Sequence, residues 1–502
     1  MAGGAAGPFV LGIDVSTTAT KAVLVDEHGA VVAVGVGEYG LQTPHPGWSE
    51  QDPHLWWAAA TRAIPDCLGI AGVGGTSVRA VGLTGQMHGS VLLDRTGAVV
   101  RPALLWNDQR TTAECEQIRQ RVGAQRLVRL TGNDALTGFT APKLLWVRDH
   151  EPDAWSRVAR VLLPKDYLRY RLTGDFATDL ADASGTLLLD VPARAWSTDV
   201  MADLDLNPAL VPALFEGPEV TGVVSAAAAD ATGLAAGTPV VAGGGDQAAN
   251  AVGVGAVTPQ VGALSIGTSG VVFVPTSEPL VEPRGRVHAF CHAVPATWHV
   301  MGVMLSAAGS LRWYRDALAP GTEFSDLVAE AAGVAAGADG LRFLPYLTGE
   351  RTPHADPDAR GAFVGLTVRH TRAHLTRAVL EGVAFGLRDG LELMRAAGVA
   401  VPAEFRASGG GTKSDLWRQI TADVLGVPLV TVGTAEGAAF GAAVLAAVGA
   451  GWFASPEQAA ASLVRADEST RPGSPEDYEA AYTSFRRLYP ALSDEFSAMA
   501  SE

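Results

Sequence analysis

FVLGIDVSTTATKAVLVD (Phe9–Asp26) is an apolar run, a turn of small hydroxyl residues and a second apolar run. VGALSIGTSGVVFVP (Val261–Pro275) repeats that plan at the start of the second half of the chain. Apolar runs broken by Gly, Ser and Thr predict a β-hairpin. Two such hairpins, each opening about half of the chain, predict a duplicated architecture. At 502 residues the chain exceeds what one hydrophobic core organises, so two large domains are expected. We place the boundary near Gly255–Pro259, giving domains 1–256 and 257–502. No Pro- or Ser-rich linker marks the junction, which favours a hinge and a cleft over loosely tethered units.

Three further stretches read clearly. RAVGLTGQMHGSVLLDRTG is a strand, a loop and a strand. EFRASGGGTKSDLWRQITADVLG is a strand, a Gly-rich loop and an amphipathic helix with Leu416, Ile420 and Val424 in register. VPLVTV is a short strand, and the last helix includes Tyr478 to Tyr489. Gly437 to Ala454 is an uncharged run of 18 residues, the lower limit for a membrane span. It is mostly Ala and Gly, so a buried helix packed closely through Gly437 and Gly441 is the expectation.

The formal net charge of −16 argues against nucleic acid or an anionic membrane as partner. A small anion held by backbone N–H groups and Mg²⁺ stays compatible with it. Cys67, Cys115 and Cys291 are widely spaced, which predicts free thiols and a cytoplasmic setting. The N-terminal MAGGAAGPFVLGIDV lacks the basic region of a signal peptide.

Several motif matches fail on context. GVGEYG (Gly35–Gly40) has the dinucleotide spacing but runs into LQTPHPGW, where two prolines forbid the required helix. GGGTKS lacks P-loop spacing, and no nucleophile-elbow G-x-S-x-G is present. HAFCHAVPATWH (His288–His299) carries three His and a Cys; as a strand it would place His288 and His292 on one face and Cys291 on the other. The expectation there is a packed strand, with a metal site as the minority reading.

Four features survive. Asp14 closes a strand ahead of STTAT, which is compatible with holding hydrated Mg²⁺ and phosphates and also with turn chemistry. IGTSG (Ile266–Gly270) is the equivalent turn without the acid. SGGGTKSDLW (Ser408–Trp417) lets a flat ligand approach, with Ser414 as cap or contact. Asp246 stands alone behind three glycines in VVAGGGDQAANAVGVG, either a turn residue or an acid aimed at a ligand.

Two long stretches make a resemblance specific. GFTAPKLLWVRDH (Gly138–His150) and GAFVGLTVRHTRAHLTRAVLE (Gly361–Glu381) each resemble a signature of the FGGY carbohydrate kinases, and the likeness runs from Leu11 to about Tyr489. GQMHG, LWNDQR, LLPKDYLRYRLTG and FLPYLTGERTPH resemble the branch of that family acting on xylulose. The resemblance implies an α/β fold of two duplicated actin-like ATPase (ribonuclease H-like) domains with an interdomain cleft. The first would carry the sugar and the Mg²⁺/phosphate hairpin, the second the nucleotide and a C-terminal helix.

It further implies ATP-dependent phosphorylation of D-xylulose to D-xylulose 5-phosphate, a step feeding the pentose phosphate pathway. By that resemblance Met87, His88, Asp246 and Gln247 meet the sugar, and Asp246 is the general base. Asp14 would hold Mg²⁺, with Ser16, Thr17, Thr18, Gly267 and Thr268 at the phosphates. Gly409, Gly410 and Ser414 would border the adenosine, and family habit adds a homodimer. A base ionised near neutral pH without a strongly raised pKa suffices for this role. Trp106, Asn107 and Asp108 are open between pocket and structural turn, and Lys143 is expected to bury its stem and expose its amine.

There is one departure: Gln247 stands where the xylulose branch has Asn. That affects the sugar preference rather than the reaction, and leaves a kinase for glycerol, ribulose or an onic acid as the rival. An assembly or chaperone ATPase of the actin type is the rival from another class; GQMHG and Asp246 speak against it.

Overall fold

The hairpins form where the alternation puts them. The computed structural model describes residues 7–433 and 436–500. β1 (Phe9–Val15) and β2 (Ala19–Asp26) pair antiparallel with Asp14 opposite Lys21, and β3 (Val31–Glu38) continues beyond β2. β4 (Val78–Gly85) lies parallel on the other side of β1. With β5 (Val220–Val223), β6 (Pro239–Val241) and β7 (Gly244–Gly245) the first sheet has seven strands, ordered β5–β6–β4–β1–β2–β3 with β7 also on β4.

The second sheet contains β8 (Val261–Ile266), β9 (Gly270–Thr276), β10 (His288–Cys291) and β11 (Trp298–Met304). β12 (Glu404–Ser408), β13 (Leu429–Val432) and β14 (Ala466–Thr470) complete it in the order β10–β11–β9–β8–β12–β13–β14. The duplication is topological. In the first sheet the antiparallel run β1–β2–β3 is extended by parallel β4 and β6; in the second, β8–β9–β11 is extended by parallel β12 and β13. These are two actin-like α/β domains.

The helices that matter for the site are α1 (Pro53–Ala71), α2 (Thr140–His150), α3 (Pro164–Thr173), α4 (Leu180–Ser184) and α5 (Asp246–Val254). The second half adds α6 (Arg372–Ala396), α7 (Asp415–Leu425), α8 (Gly437–Gly449), α9 (Glu476–Phe485) and α10 (Leu488–Ala500). The span Tyr478–Tyr489 is thus two helices. Pro490 lacks the N–H that a continuous helix would need, so the chain breaks and restarts with Pro490 in the first turn of α10.

α8 is the buried Ala/Gly helix, and it comes from the second half to cover the first sheet. A Cβ on Gly12 of β1 would lie 1.9 Å from the Ala439 carbonyl oxygen, and one on Gly82 of β4 1.9 Å from that of Ala442. Glycine in both strands lets helix backbone rest on sheet backbone. The helix ends at Gly449, short of the full uncharged run, and Gly451 follows in the left-handed region at φ 76°. Among the described residues no helix is long and apolar enough to cross a membrane.

Candidate active site

The chain leading to Asp246 is held from behind. Arg169 of α3, fully buried, donates to the Val241 carbonyl at 2.8 Å, to the Ala242 carbonyl and to Thr221 Oγ1 at 2.6 Å. Gly243 then turns at φ +78°, where a Cβ would sit 1.8 Å from the Leu83 carbonyl oxygen. A Cβ on Gly245 would meet Met87 Cγ at 2.8 Å, so the bare glycine is what lets Met87 lie beside the next residue. That residue is Asp246, the first of α5. The helix N-terminus favours a carboxylate there. Burial outweighs it, and with the nearby Asp14 charge lifts the Asp246 carboxyl to about 7. The role expected from sequence does not require such a rise; the burial of the residue produces it.

Asp246 and Gln247 open onto a cleft of about 250 Å³ together with Met87 and His88, so the four expected sugar residues share one cavity. That is below the roughly 300–1,000 Å³ of drug-sized sites. Ser269, His288 and Arg351 reach the same cleft from the second half of the chain, with Phe139, Val271 and Met301 as apolar wall. Trp106 borders it and donates to Thr17 Oγ1 at 3.1 Å. Asp108 does not: it is fully buried, accepting from the Ser49 amide and pairing with Arg110, both at 2.7 Å.

His88 sits at φ 69°. Its Nδ1 lies 2.7 Å from the Gly185 carbonyl, so Nδ1 carries the proton and Nε2 presents a lone pair. Burial pushes its pKa down to about 3, keeping the ring neutral. The same residue's carbonyl accepts from Lys143 Nζ at 2.9 Å and from Thr140 Oγ1 at 3.1 Å. Lys143 also donates to the Gly138 carbonyl at 2.7 Å and is fully buried, with burial pushing its pKa down to about 7. The exposed amine expected from sequence is overturned, because two inward-facing carbonyls replace water. Lys143→Met should leave the Gly138 carbonyl unpaired and the His88 carbonyl with Thr140 alone, and raise KM for the sugar roughly 5- to 150-fold, the scale of about 1–3 kcal/mol per unsatisfied group. Steady-state kinetics with circular dichroism as the fold check measures it; an unchanged KM removes Lys143 from the site.

A second buried network fixes the other support of His88. Lys165 Nζ lies 2.5 Å from Asp166, 2.6 Å from Asp179 and 3.3 Å from Asp182, all buried. Asp179 also caps α4, accepting from the Asp182 amide at 2.9 Å. Gly185, which holds the imidazole, follows directly at the end of α4.

Two of the residues expected at the nucleotide lie in a separate cleft. Gly409 and Gly410 line a cleft of about 720 Å³ with Asn250, Ser408 and Thr412. Asn250 lies one turn beyond Asp246 on α5, about 6 Å along the axis. Helix α5 thus serves both clefts. Gly409 stands at φ +95°, where a Cβ would be 2.6 Å from the Ile266 carbonyl oxygen, so the Gly-rich loop presses on the second hairpin. Ser414 is used as the N-cap of α7, its Oγ accepting from the Trp417 amide at 3.2 Å.

In the first hairpin the Ser16 hydroxyl is spent on the Ala19 carbonyl at 2.8 Å, and the Thr17 carbonyl accepts from Gln51 at 2.7 Å. The Thr18 carbonyl accepts from the Tyr39 amide at 3.0 Å. In the second, the Gly267 and Thr268 carbonyls cap the turn of residues 307–309. The Ser16 amide is likewise spent on the Ala19 carbonyl at 2.9 Å and the Gly267 amide on the Ser269 carbonyl at 3.0 Å, which leaves the amides of Thr17, Thr18 and Thr268 as the uncommitted ones in the two turns.

Asp14 tests the fit of a cation. Its Oδ1 is buried without a hydrogen-bond partner among the described residues, and burial lifts its carboxyl to about 6 against the opposing Lys21 charge. An orphaned oxygen beside a second acid is what a hydrated Mg²⁺ would satisfy. The histidine-rich segment has packing roles instead. β10 ends at Cys291, so His292 lies past it, its Nε2 3.1 Å from the Ala256 carbonyl. His299 stacks on Phe273 with ring centroids 4.0 Å apart. Among the described residues no cluster of His, Cys, Asp or Glu has metal-site geometry.

Comparison with known proteins gives the family of the chain. The N-terminal domain of the FGGY family of carbohydrate kinases matches residues 9–253 and its C-terminal domain residues 262–450. The xylulose kinase of Escherichia coli (strain K12) is 45% identical over 96% of this chain and 99% of that protein. The crystal structure of xylulose kinase from Rhodospirillum rubrum superposes with a TM-score of 0.91 at 35% identity, covering 97% of this chain and 100% of that one. Gluconate kinase from Lactobacillus acidophilus superposes at 0.93 with 28% identity over 98% and 99%.

Proposed function

Because the chain belongs to the FGGY family of carbohydrate kinases, we propose that it transfers the γ-phosphoryl of ATP to the terminal hydroxyl of D-xylulose, giving D-xylulose 5-phosphate. The observation that carries the reading is the small cleft in which Asp246, Gln247, Met87 and His88 converge, in a chain 45% identical to a xylulose kinase. Asp246 takes the hydroxyl proton as the sugar oxygen attacks the γ-phosphorus and the bond to the β–γ bridging oxygen breaks. A carboxyl lifted to about 7 is a stronger base than an ordinary aspartate and is still half ionised at neutral pH. Asp14 would hold Mg²⁺, which when bound supplies charge neutralisation at the phosphates. Thr17, Thr18 and Thr268 offer backbone amides to the phosphates, and Gly409 and Gly410 give the adenosine a flat approach. Apolar Phe139, Val271 and Met301 keep water from competing with the sugar hydroxyl.

A panel of D-xylulose, D-ribulose, L-ribulose, L-xylulose, gluconate and glycerol in a coupled ADP assay tests the reading. D-xylulose is expected to give the highest kcat/KM. Gluconate or glycerol leading the panel would replace it with the corresponding kinase, and sugar-independent turnover would favour an assembly ATPase.

A further inference from the structure

The sugar cleft contains a cation that the chemistry above leaves idle. Arg351 comes from the second half of the chain and lines the cleft together with Met87 and His88. Among the described residues its guanidinium has no hydrogen-bond or ion-pair partner. Its donors remain open to the cleft, where a ligand's acceptor can meet them.

Its backbone, by contrast, is fixed. The buried carboxylate of Glu350 accepts from the Leu305 amide at 2.9 Å and from the Arg351 amide at 2.7 Å. Thr352 donates its amide to the Val303 carbonyl at 3.0 Å and accepts from the Val303 amide at 3.2 Å. Both neighbours are thereby tied to the end of β11, and the side chain between them projects from a rigid base.

The surroundings fix the hydrogen-bonding roles of the cleft's imidazoles. His288 Nδ1 lies 2.7 Å from Asn133 Oδ1, whose amide nitrogen is committed to the Thr131 and Ala289 carbonyls, so Nδ1 donates and Nε2 is an acceptor. His88 presents its Nε2 in the same state. Both imidazoles pack edge-on against Phe139, with ring centroids 4.7 and 5.8 Å from it. The lining therefore combines one acid, Asp246, with two neutral imidazoles and a guanidinium.

The chemistry of a 2-ketopentose matches this polarity, on the reading that D-xylulose is the substrate. Ring closure of such a sugar consumes its terminal hydroxyl, so the molecule that offers that hydroxyl to Asp246 is the open chain. Its C2 carbonyl is then a bare acceptor among hydroxyls that donate. His88 and His288 can receive the hydroxyls, and the carbonyl needs a donor.

We propose that Arg351 is a specificity-determining residue for the ketose, its guanidinium donating to the C2 carbonyl oxygen, so that the sugar bridges the two halves of the chain. A substrate-by-variant cycle tests this. Reduction of the carbonyl of D-xylulose gives xylitol and D-arabinitol, and kcat/KM is measured for all three with wild type, Arg351→Met and Arg351→Lys. Arg351→Met should lose roughly 10- to 150-fold on D-xylulose, the scale of a hydrogen bond to a charged group. It should lose far less on the pentitols, narrowing the ketose preference at least tenfold. Arg351→Lys, which keeps charge and donors, should recover part of the preference and carries the test should Arg351→Met fail to fold by circular dichroism. An equal loss on ketose and pentitols, or an unchanged preference, overturns the proposal. Wild-type protein that turns over none of the ketopentoses overturns the underlying reading instead.

Discussion

Asp246→Asn should reduce sugar-dependent ADP release by roughly 10²–10⁴-fold, the usual scale for losing a general base. The substitution keeps the size and one hydrogen-bonding oxygen, so the contact of Gly245 with Met87 and the start of α5 are undisturbed. What disappears is the basicity. Nucleotide binding, which draws on Gly409, Gly410 and the turn amides, should survive and can be read by ADP titration. A variant that kept wild-type turnover would remove Asp246 from the chemistry. Stability should move in the opposite direction. The folded carboxyl titrates at about 7, above its ordinary 3.8, so its contribution to stability is full below 3.8 and is lost as pH rises through about 7. In metal-free buffer the Asn variant should therefore melt above wild type at pH 8, and the gap should close toward pH 4. Thermal denaturation at the two values checks this. The combination of lost turnover and gained stability separates a functional acid from a structural one.

The two hairpins were legible because alternation and hydroxyl turns are local properties of the chain. Pairing across each hairpin needs nothing from elsewhere. The Gly-rich turn before α7 was legible for the same reason, and Ser414 acts there as a cap, one of the two uses its position allowed. Lys143 could not be placed that way. An amine is buried only where carbonyls from distant segments converge on it, and those of His88 and Gly138 are fixed by a loop and a turn that no periodicity reveals. Lys165, Asp166, Asp179 and Asp182 are a similar case: four charges from separate segments are buried around one another. The sugar cleft was half visible. GQMHG and Asp246 mark the contribution of the first half, but His288 and Arg351 enter from strand and loop positions whose direction depends on how the two sheets face each other. The one local hint was an Arg in LTGERTPH flanked by residues that anchor to a neighbouring strand.

Gly441→Val should destabilise the protein by about 3 kcal/mol or more, above the usual 1–3 kcal/mol of overpacking. Where helices ordinarily pack with axes about 8–10 Å apart, side chains separate them. Here the backbones of α5 and α8 touch. A Cβ on Gly441 would lie 1.7 Å from the Ala249 carbonyl oxygen and 2.8 Å from the Gly253 amide nitrogen, and one on Gly253 2.1 Å from the Gly437 carbonyl oxygen. No rotamer change relieves a clash with backbone, so the helices must part. The melting temperature should fall by roughly 6–12 °C, at about 2–4 °C per kcal/mol for a domain of some 150–250 residues. Gly69→Ala gives the opposite sign: it sits in α1 with nothing within 4 Å of its Cβ direction, and should stabilise by roughly 0.4–1 kcal/mol. Loss of activity should accompany Gly441→Val even in the folded fraction. α5 carries Asp246 at its first turn and Asn250 at the next, so parting α5 from α8 displaces the base and the wall of the nucleotide cleft together. An angstrom of misplacement is enough to cost about 10²-fold in rate. Full specific activity in soluble Gly441→Val protein would show that the helix crossing supports the fold alone.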